Sequence, residues 1–104
     1  MTMNAELSAG PAFQPSHPGQ VFKNQILSRY DLSISEAARR LGVSRKHLTN
    51  FCNAHVPCST DLAQRIAAAT DSGVAMWINL QAAYDTWSAE HQDAPDVQPF
   101  KSVN

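Results

Sequence analysis

Four of the eight Lys and Arg side chains of this protein lie in one short stretch, residues 36–51, with the sequence EAARRLGVSRKHLTNF. They are Arg39, Arg40, Arg45 and Lys46. The formal net charge of the whole chain is nevertheless only −1. Guanidinium and ammonium groups bind phosphate oxygens and other anions, so the clustering predicts a surface for an anionic partner.

The charge of the chain changes sign along its length. Residues 21–50 carry six basic and two acidic side chains, whereas residues 71–104 carry one basic and five acidic ones. The basic part favours an anionic partner such as nucleic acid, and the acidic part favours either solubility or a second, basic partner. The alternative is that both parts are ordinary solvated faces, which charge alone does not exclude.

Two short helices are predicted to position these cations. Ser33 and Glu36 fit a capping box at the start of the first one, in which each side chain bonds the backbone amide of the other residue. Gly42 fits the left-handed position that ends this helix, and Ser44 can cap the next one, which runs to about Asn53. So short a connection forces a sharp turn, as in a helix-turn-helix.

The apolar side chains of this segment have the spacing that such a helix pair requires. A small residue is needed where the helices cross, and Ala38 stands four positions before Gly42. The positions that must face inward are all apolar: Ala37, Leu41, Val43, Leu48 and Phe51. An ordinary helical hairpin is the alternative interpretation, and the charge of the outer face distinguishes the two.

The outer face of the second helix of this pair is basic and polar. On a helical wheel, Leu48, Phe51 and Cys52 mark the buried side, and no acidic residue lies opposite them. Arg and Lys beside Asn and Thr supply the donors and acceptors that contact base edges in a major groove. The predicted base contacts are Arg45, Lys46, Thr49 and Asn50. The predicted phosphate contacts are Arg39, Arg40, Ser44 and Asn53.

Three further helices are predicted around this pair. They span about residues 18–30, 60–70 and 74–90, from the recurrence of apolar residues at three and four. The apolar face of the last one is broad, so it must cover the core, a partner, or both. Its predicted core or dimer residues are Trp77, Leu80, Tyr84 and Trp87. Antiparallel contact between two such helices would place two copies of the basic helix about 34 Å apart, one turn of DNA.

The predicted domain covers residues 17–90. We expect residues 1–16 to form a flexible arm, and residues 91–104 to form a short tail that stays extended or adds an edge strand. Two cysteines, no N-terminal apolar run and no apolar stretch of membrane-spanning length predict a soluble, reduced, cytoplasmic protein without a membrane partner.

Zinc binding and catalysis are two alternative functions for residues of this chain. The close spacing of His47, Cys52, His55 and Cys58 raises the hypothesis of a zinc site. The wheel turns Cys52 inward and His47 outward, so we expect no metal site. No serine, cysteine or histidine has a sequence context that would activate it, and no phosphate-binding glycine loop is present. We therefore expect no enzyme, no cofactor and no small-molecule substrate.

Three runs of the sequence, HPGQVFKNQIL, SEAARRLGVSRKHLTNF and MWINLQAAYD, resemble the HigA-type antitoxins, a branch of the phage-repressor-like helix-turn-helix proteins. The segments 17–19 and 77–81 separate this branch from helix-turn-helix proteins in general. The resemblance implies an all-α, five-helix, lambda-repressor-like DNA-binding domain. It also implies a homodimer that binds double-stranded operator DNA, represses its own operon and neutralises a ribonuclease toxin.

The chain departs from the family pattern at its turns. Ala54 follows Asn53 where the family usually has Gly, and Asp71 replaces a Gly after the fourth helix. Gly73 replaces the usual Ser cap of the fifth helix, and Val74 replaces the usual Pro. Asn53 and Asp71 tolerate a left-handed backbone better than most residues, so we expect the fold to persist.

Two alternative functions stay open on the sequence. One is an interaction module that holds a basic partner through its arm and acidic end and binds DNA only weakly. The other is a stand-alone helix-turn-helix regulator with no toxin.

Overall fold

The computed structural model describes residues 13–103 of the chain, and within that range the backbone forms five helices and no strand. The helices are α1, made of the consecutive segments Pro18–Val21, Phe22–Leu27 and Ser28–Tyr30; α2, Ile34–Leu41; α3, Arg45–Cys52; α4, Thr60–Ala69; and α5, Val74–Glu90. The predicted all-α fold with five helices is confirmed.

Helix α1 has an N-terminal cap of its own and a π-helical middle. His17 precedes Pro18, and its Nδ1 accepts a hydrogen bond from the backbone N–H of Gly19 at 2.9 Å. Segment Phe22–Leu27 is π-helical, with hydrogen bonds that reach one residue further than in an α-helix. This winding brings residues four and five apart onto one face, so that Phe22, Ile26 and Leu27 are all buried.

The next three helices begin at serine caps, as predicted. Ser33, Ser44 and Ser59 each accept a hydrogen bond from the amide three residues later, at 3.0–3.1 Å. Each cap satisfies one of the amides that a helix start leaves without a backbone partner. Helix α5 begins after Gly73, whose position carries no side-chain cap.

The core lies where all five helices meet. Helix α1 packs on α3 and α5, α2 packs on α3 and α4, and α4 packs on α5. Trp77 is fully buried at the centre, and its Nε1 donates to Ser72 Oγ at 2.7 Å. On the broad face of α5, Met76 and Ala83 are exposed, whereas Gln81 is buried.

Apart from Gly42, the left-handed backbone falls at different residues from those that we expected. Ala54 has φ 63° and Asp31 has φ 52°, whereas Asn53 has φ −91°. Asp71 is not among the described residues with positive φ. The turn after α3 therefore places an alanine, at the cost of a strained backbone, where glycine would fit without strain.

Beyond α5 the chain has neither helix nor strand from residue 93 to residue 103, so of the two forms expected for this tail, extended chain or edge strand, the strand is absent there. Phe100 and Val103 are fully exposed in this tail. Most of the predicted N-terminal arm, residues 1–12, lies outside the described residues. Within residues 13–103, no helix combines the length and the apolar character needed to cross a membrane.

Candidate nucleic-acid interface

The turn between α2 and α3 has the geometry of a helix-turn-helix. Gly42 adopts the left-handed conformation with φ 75° and donates to the carbonyl oxygen of Ala38 at 2.9 Å. The amide of Val43 donates to the same carbonyl at 3.1 Å, and the amide of Gly42 also reaches the carbonyl oxygen of Arg39 at 3.3 Å. This is the Schellman pattern, which ends a helix and turns the chain within a few residues.

The orientation of α3 about its own axis is fixed by its buried side. Leu48 and Phe51 are completely buried, and Cys52 is almost so. Turning α3 about its axis would expose these side chains to water, at a cost of about 1.5 to 3 kcal/mol for each large one. The opposite side of α3 is therefore held outward.

The outward side of α3 carries the predicted base contacts as one group. Arg45 and Lys46 are exposed, Thr49 and Asn50 are half-buried, and the four side chains line one shallow depression of the surface. No acidic side chain lines it. Donors and acceptors thus lie side by side on the outward side of α3, which is the chemistry that distinguishes base pairs in a major groove.

The predicted phosphate contacts divide between the two ends of α3. Ser44 lies at the N-terminus, where its Oγ accepts from the amide of His47 at 3.0 Å and its hydroxyl proton stays available to a phosphate. Asn53 is exposed at the opposite end of the helix. Asn53 does not line the depression formed by the four base-contact candidates.

Arg39 and Arg40 are exposed on α2, but both are already paired with Glu36. Arg39 Nε donates to Glu36 Oε1 at 3.1 Å, and Arg40 Nε donates to Oε2 at 2.7 Å. These hydrogen bonds lower the pKa of Glu36 to about 2. One half of the predicted capping box is therefore wrong: Ser33 accepts from the amide of Glu36, but the carboxylate bonds the two arginines.

The loop between α3 and α4 is held by a residue that sequence analysis missed. Gln81, buried on α5, accepts from the amide of Cys58 through Oε1 at 2.7 Å, and its Nε2 donates to Asp85 Oδ1 at 2.8 Å. The one signal in the sequence was its place in segment 77–81, which carries part of the family resemblance.

His17 connects α1 to the same region. Its ring packs edge-on against Phe51 at 5.9 Å and against Tyr84 at 4.9 Å between centroids. Burial lowers the pKa of His17, and nearby Asp85 partly opposes this. Gly19 follows closely, and a Cβ there would lie 1.6 Å from the carbonyl oxygen of Phe51. The His-Pro-Gly segment is thus a packing site for the end of α3.

The four residues of the zinc hypothesis do not come together as ligands. Within residues 13–103, no group of three or more His, Cys, Asp or Glu side chains could hold a metal ion. Cys52 and Cys58 are both buried. Desolvation raises the pKa of each thiol, that of Cys58 to about 11.

Helix α5 divides its predicted contact residues between core and surface. Trp77 belongs to the core, whereas Leu80, Tyr84 and Trp87 are half-buried. The Trp87 ring stacks on His91 at 3.8 Å, and its Nε1 is buried without a hydrogen-bond partner among the described residues. Large apolar side chains are also exposed on this helix, namely Val74, Met76 and Ile78.

The sequence and the fold of this chain are similar to those of helix-turn-helix regulators and antitoxins. No family model matches the chain. It is 36% identical over 78 residues to YbaQ, a helix-turn-helix-type transcriptional regulator of Escherichia coli K12, across 75% of this chain and 69% of that protein. Antitoxin HigA of Pseudomonas aeruginosa, solved with the higBA promoter, is 30% identical with a TM-score of 0.70, across 73% of this chain and 83% of that one. Antitoxin GraA, solved with its operator, is 30% identical with a TM-score of 0.72, across 80% of this chain and 84% of that one.

Proposed function

The chain belongs to the HigA-type family of helix-turn-helix regulators, and on that premise we propose that it is a sequence-specific DNA-binding repressor that acts as an antitoxin. Its predicted target is its own operator, and its predicted protein partner is a ribonuclease toxin. The likeness to antitoxins solved with operator or promoter DNA supports this proposal. Regulators and antitoxins give no reason to assign catalysis, and a DNA target is consistent with a place in the cytoplasm.

The observation that carries the proposal is the composition of the outward side of α3. Arg45, Lys46, Thr49 and Asn50 form one surface, and packing of the opposite side holds it outward. In the proposed complex, α3 lies in the major groove, Ser44 presents the helix N-terminus to a phosphate, and α2 crosses the DNA backbone.

Dimerisation through α5 is the second part of the proposal. Its exposed Val74, Met76 and Ile78 are apolar side chains that a second copy would remove from water. Two copies related by a twofold axis would present two α3 helices about 34 Å apart, matching half-sites one DNA turn apart. A stable monomer at micromolar concentration in sedimentation would contradict this part.

A toxin contact at the acidic end is the third part. Residues 71–104 carry five acidic side chains and one basic one, and most of them lie on exposed positions. A basic partner would complement that charge. The test is co-purification with the product of a small basic reading frame adjacent to the gene. Absence of any such frame would favour a stand-alone regulator.

DNA recognition is tested by selecting duplexes from a random pool with the purified protein and sequencing them. On a selected duplex, Asn50→Ala is expected to cost about 1 to 3 kcal/mol of binding free energy, and less on random DNA. Arg40→Ala is expected to weaken all duplexes alike and to lower the salt slope by about one. Equal losses on selected and random DNA for Asn50→Ala would remove its role at a base edge.

A further inference from the structure

Arg65 connects α4 to the turn between α2 and α3. Its Nη1 donates to the carbonyl oxygen of Leu41 at 2.9 Å and approaches that of Gly42 at 3.5 Å. Its Nε donates to Asp61 Oδ2 at 2.8 Å, one helical turn back on α4. The arginine therefore has one partner on its own helix and two in the turn that leads into α3.

The turn leaves these carbonyl oxygens in need of a donor. The amides of Gly42 and Val43 serve the carbonyls of Ala38 and Arg39, further back in α2. The last carbonyls of a helix have no amide within the helix to accept from. A guanidinium supplies that donor, and its charge is also favourable at the negative end of the α2 dipole.

The turn and the guanidinium also fit each other in shape. A Cβ at Gly42 would lie 2.9 Å from Arg65 Nη1, so the glycine leaves space that the guanidinium occupies. Ser44, the cap of α3, comes two residues after Gly42. A shift of the turn relative to α4 would therefore change the direction in which α3 leaves it.

We propose that Arg65 is a positioning residue for DNA recognition, which fixes the direction of α3 by holding the carbonyls of Leu41 and Gly42 from α4. The inference rests on the proposed function of the α3 face. A salt bridge to Asp61 alone would not give Arg65 this role, because exposed pairs of that kind contribute little. The role comes from the two turn carbonyls, whose position sets that of the base-contacting side chains.

The experiment compares Arg65→Met and Arg65→Lys with Arg29→Met, the same substitution at an exposed arginine of α1. DNA affinity is measured at several salt concentrations, on a duplex that the wild type selects from a random pool and on an unselected duplex. Unfolding curves first establish that each variant is folded under these conditions. Arg65→Met is expected to lose about tenfold on the selected duplex and less than about twofold on the other. The salt slope should stay unchanged, because no phosphate contact is removed.

Arg65→Lys separates positioning from charge. The lysine ammonium keeps the charge but lacks the planar fork with which the guanidinium bonds Asp61 and the turn carbonyls at once. Only part of the lost selectivity should therefore return. Arg29→Met should leave both affinities unchanged. Equal losses on both duplexes, with a salt slope lower by about one, would make Arg65 a phosphate contact and overturn the proposal. Unchanged selectivity in Arg65→Met would overturn it as well.

Hydrogen exchange of the Val43 amide tests the same contact without DNA. This amide donates to the carbonyl of Ala38, so its exchange reports opening of the turn. Arg65→Met should exchange faster at this amide by about tenfold, with amides in α5 unchanged. If the wild type selects no duplex, the proposed function fails, and this exchange alone decides whether Arg65 holds the turn. An unchanged exchange rate of the Val43 amide in Arg65→Met would show that Arg65 does not stabilise the turn.

Discussion

The segment α2–α3 and the segment formed by α5 with its tail differ in how they divide apolar from polar side chains. In α2 and α3 the large apolar residues are buried, apart from half-buried Ile34, and the outward side is polar or basic. In α5 only Trp77 and Gln81 are buried, and apolar side chains remain exposed on the helix surface. The first segment presents a finished polar surface. The second presents apolar surface that a single chain does not cover.

This difference separates two kinds of partner. A polar, cationic surface is well solvated when it is free and can still bind an anion, so it suits a partner that binds reversibly. Exposed Met76 and Ile78 are more costly to leave in water, and they suit a contact that forms once, such as a dimer. Substitutions matched between the two segments can test this distinction.

The largest expected effect comes from a methyl group at Gly19 compared with one at Gly73. At Gly19 a Cβ would meet the backbone carbonyl of Phe51 at 1.6 Å, whereas at Gly73 nothing lies within 4 Å. Gly19→Ala should lower the free energy of unfolding by about 2 to 4 kcal/mol, because the end of α3 must move. Gly73→Ala should change it by less than about 1 kcal/mol. Urea denaturation measures both.

Similar losses for the two glycine variants would contradict this account. The start of α1 would then not be the point that secures α3, and the start of α5 would be as tightly packed as the start of α1.

The next largest effect comes from placing a glutamate in each segment. Ile78→Glu should abolish self-association in sedimentation and lower affinity for a selected duplex by about 100-fold through the lost second half-site. Its monomer stability should change by less than about 1 kcal/mol, because Ile78 is already exposed. Lys46→Glu is the reciprocal variant, which should lose DNA affinity and keep the dimer. Unchanged association in Ile78→Glu would place the dimer contact elsewhere.

The sequence predicted the features that depend on neighbouring residues. Serine caps, the left-handed Gly42 and the inward side of α3 each follow from residues within one or two helical turns, and the structure confirms them. It did not predict Arg65 on the Leu41 carbonyl or Gln81 on the Cys58 amide, which join residues 24 and 23 positions apart. Nothing local marks such pairs, because they arise only when helices pack.

Two local errors have a related cause. Asn53 has the residue type for a left-handed turn, but the left-handed residue after α3 is the next one, Ala54. Glu36 has the right position for a capping box, but two arginines compete for its carboxylate, and charged donors are stronger partners than a backbone amide. The turn after α3 and the position of Glu36 in the first turn of α2 were predicted correctly, but the left-handed residue and the partner of the carboxylate were not.

The effect of pH on stability should depend on His17, which touches both segments. Burial lowers its pKa in the folded state below the ordinary value of 6.5, so the unfolded chain binds the proton first as the pH falls. The stabilisation is complete above pH 6.5 and is lost as the pH falls through the folded-state pKa. His17→Asn keeps a capping side chain but does not titrate. Its free energy of unfolding should vary less between about pH 5 and pH 8.

The control for this pH effect is Gly73→Ala, which changes no titratable group. That variant should keep the pH dependence of the wild type. A pH dependence retained in His17→Asn would mean that another group couples protonation to folding.

The smallest expected effect comes from Glu36→Gln, which removes the carboxylate that pairs with Arg39 and Arg40. Both arginines would then be free to bind phosphates, so affinity for every duplex should rise by about threefold, with a steeper salt dependence. Glu90→Gln makes the same change of charge in the acidic segment and should have no effect, because Glu90 forms none of the ion pairs found among residues 13–103. Filter binding on random DNA at several salt concentrations measures both.

A loss of affinity in Glu36→Gln would give the carboxylate the opposite role. It would then align two guanidinium groups that would otherwise lose rotamer entropy on binding the DNA backbone. The sign of this small effect therefore decides whether the ion pairs on α2 compete with DNA or prepare the surface for it.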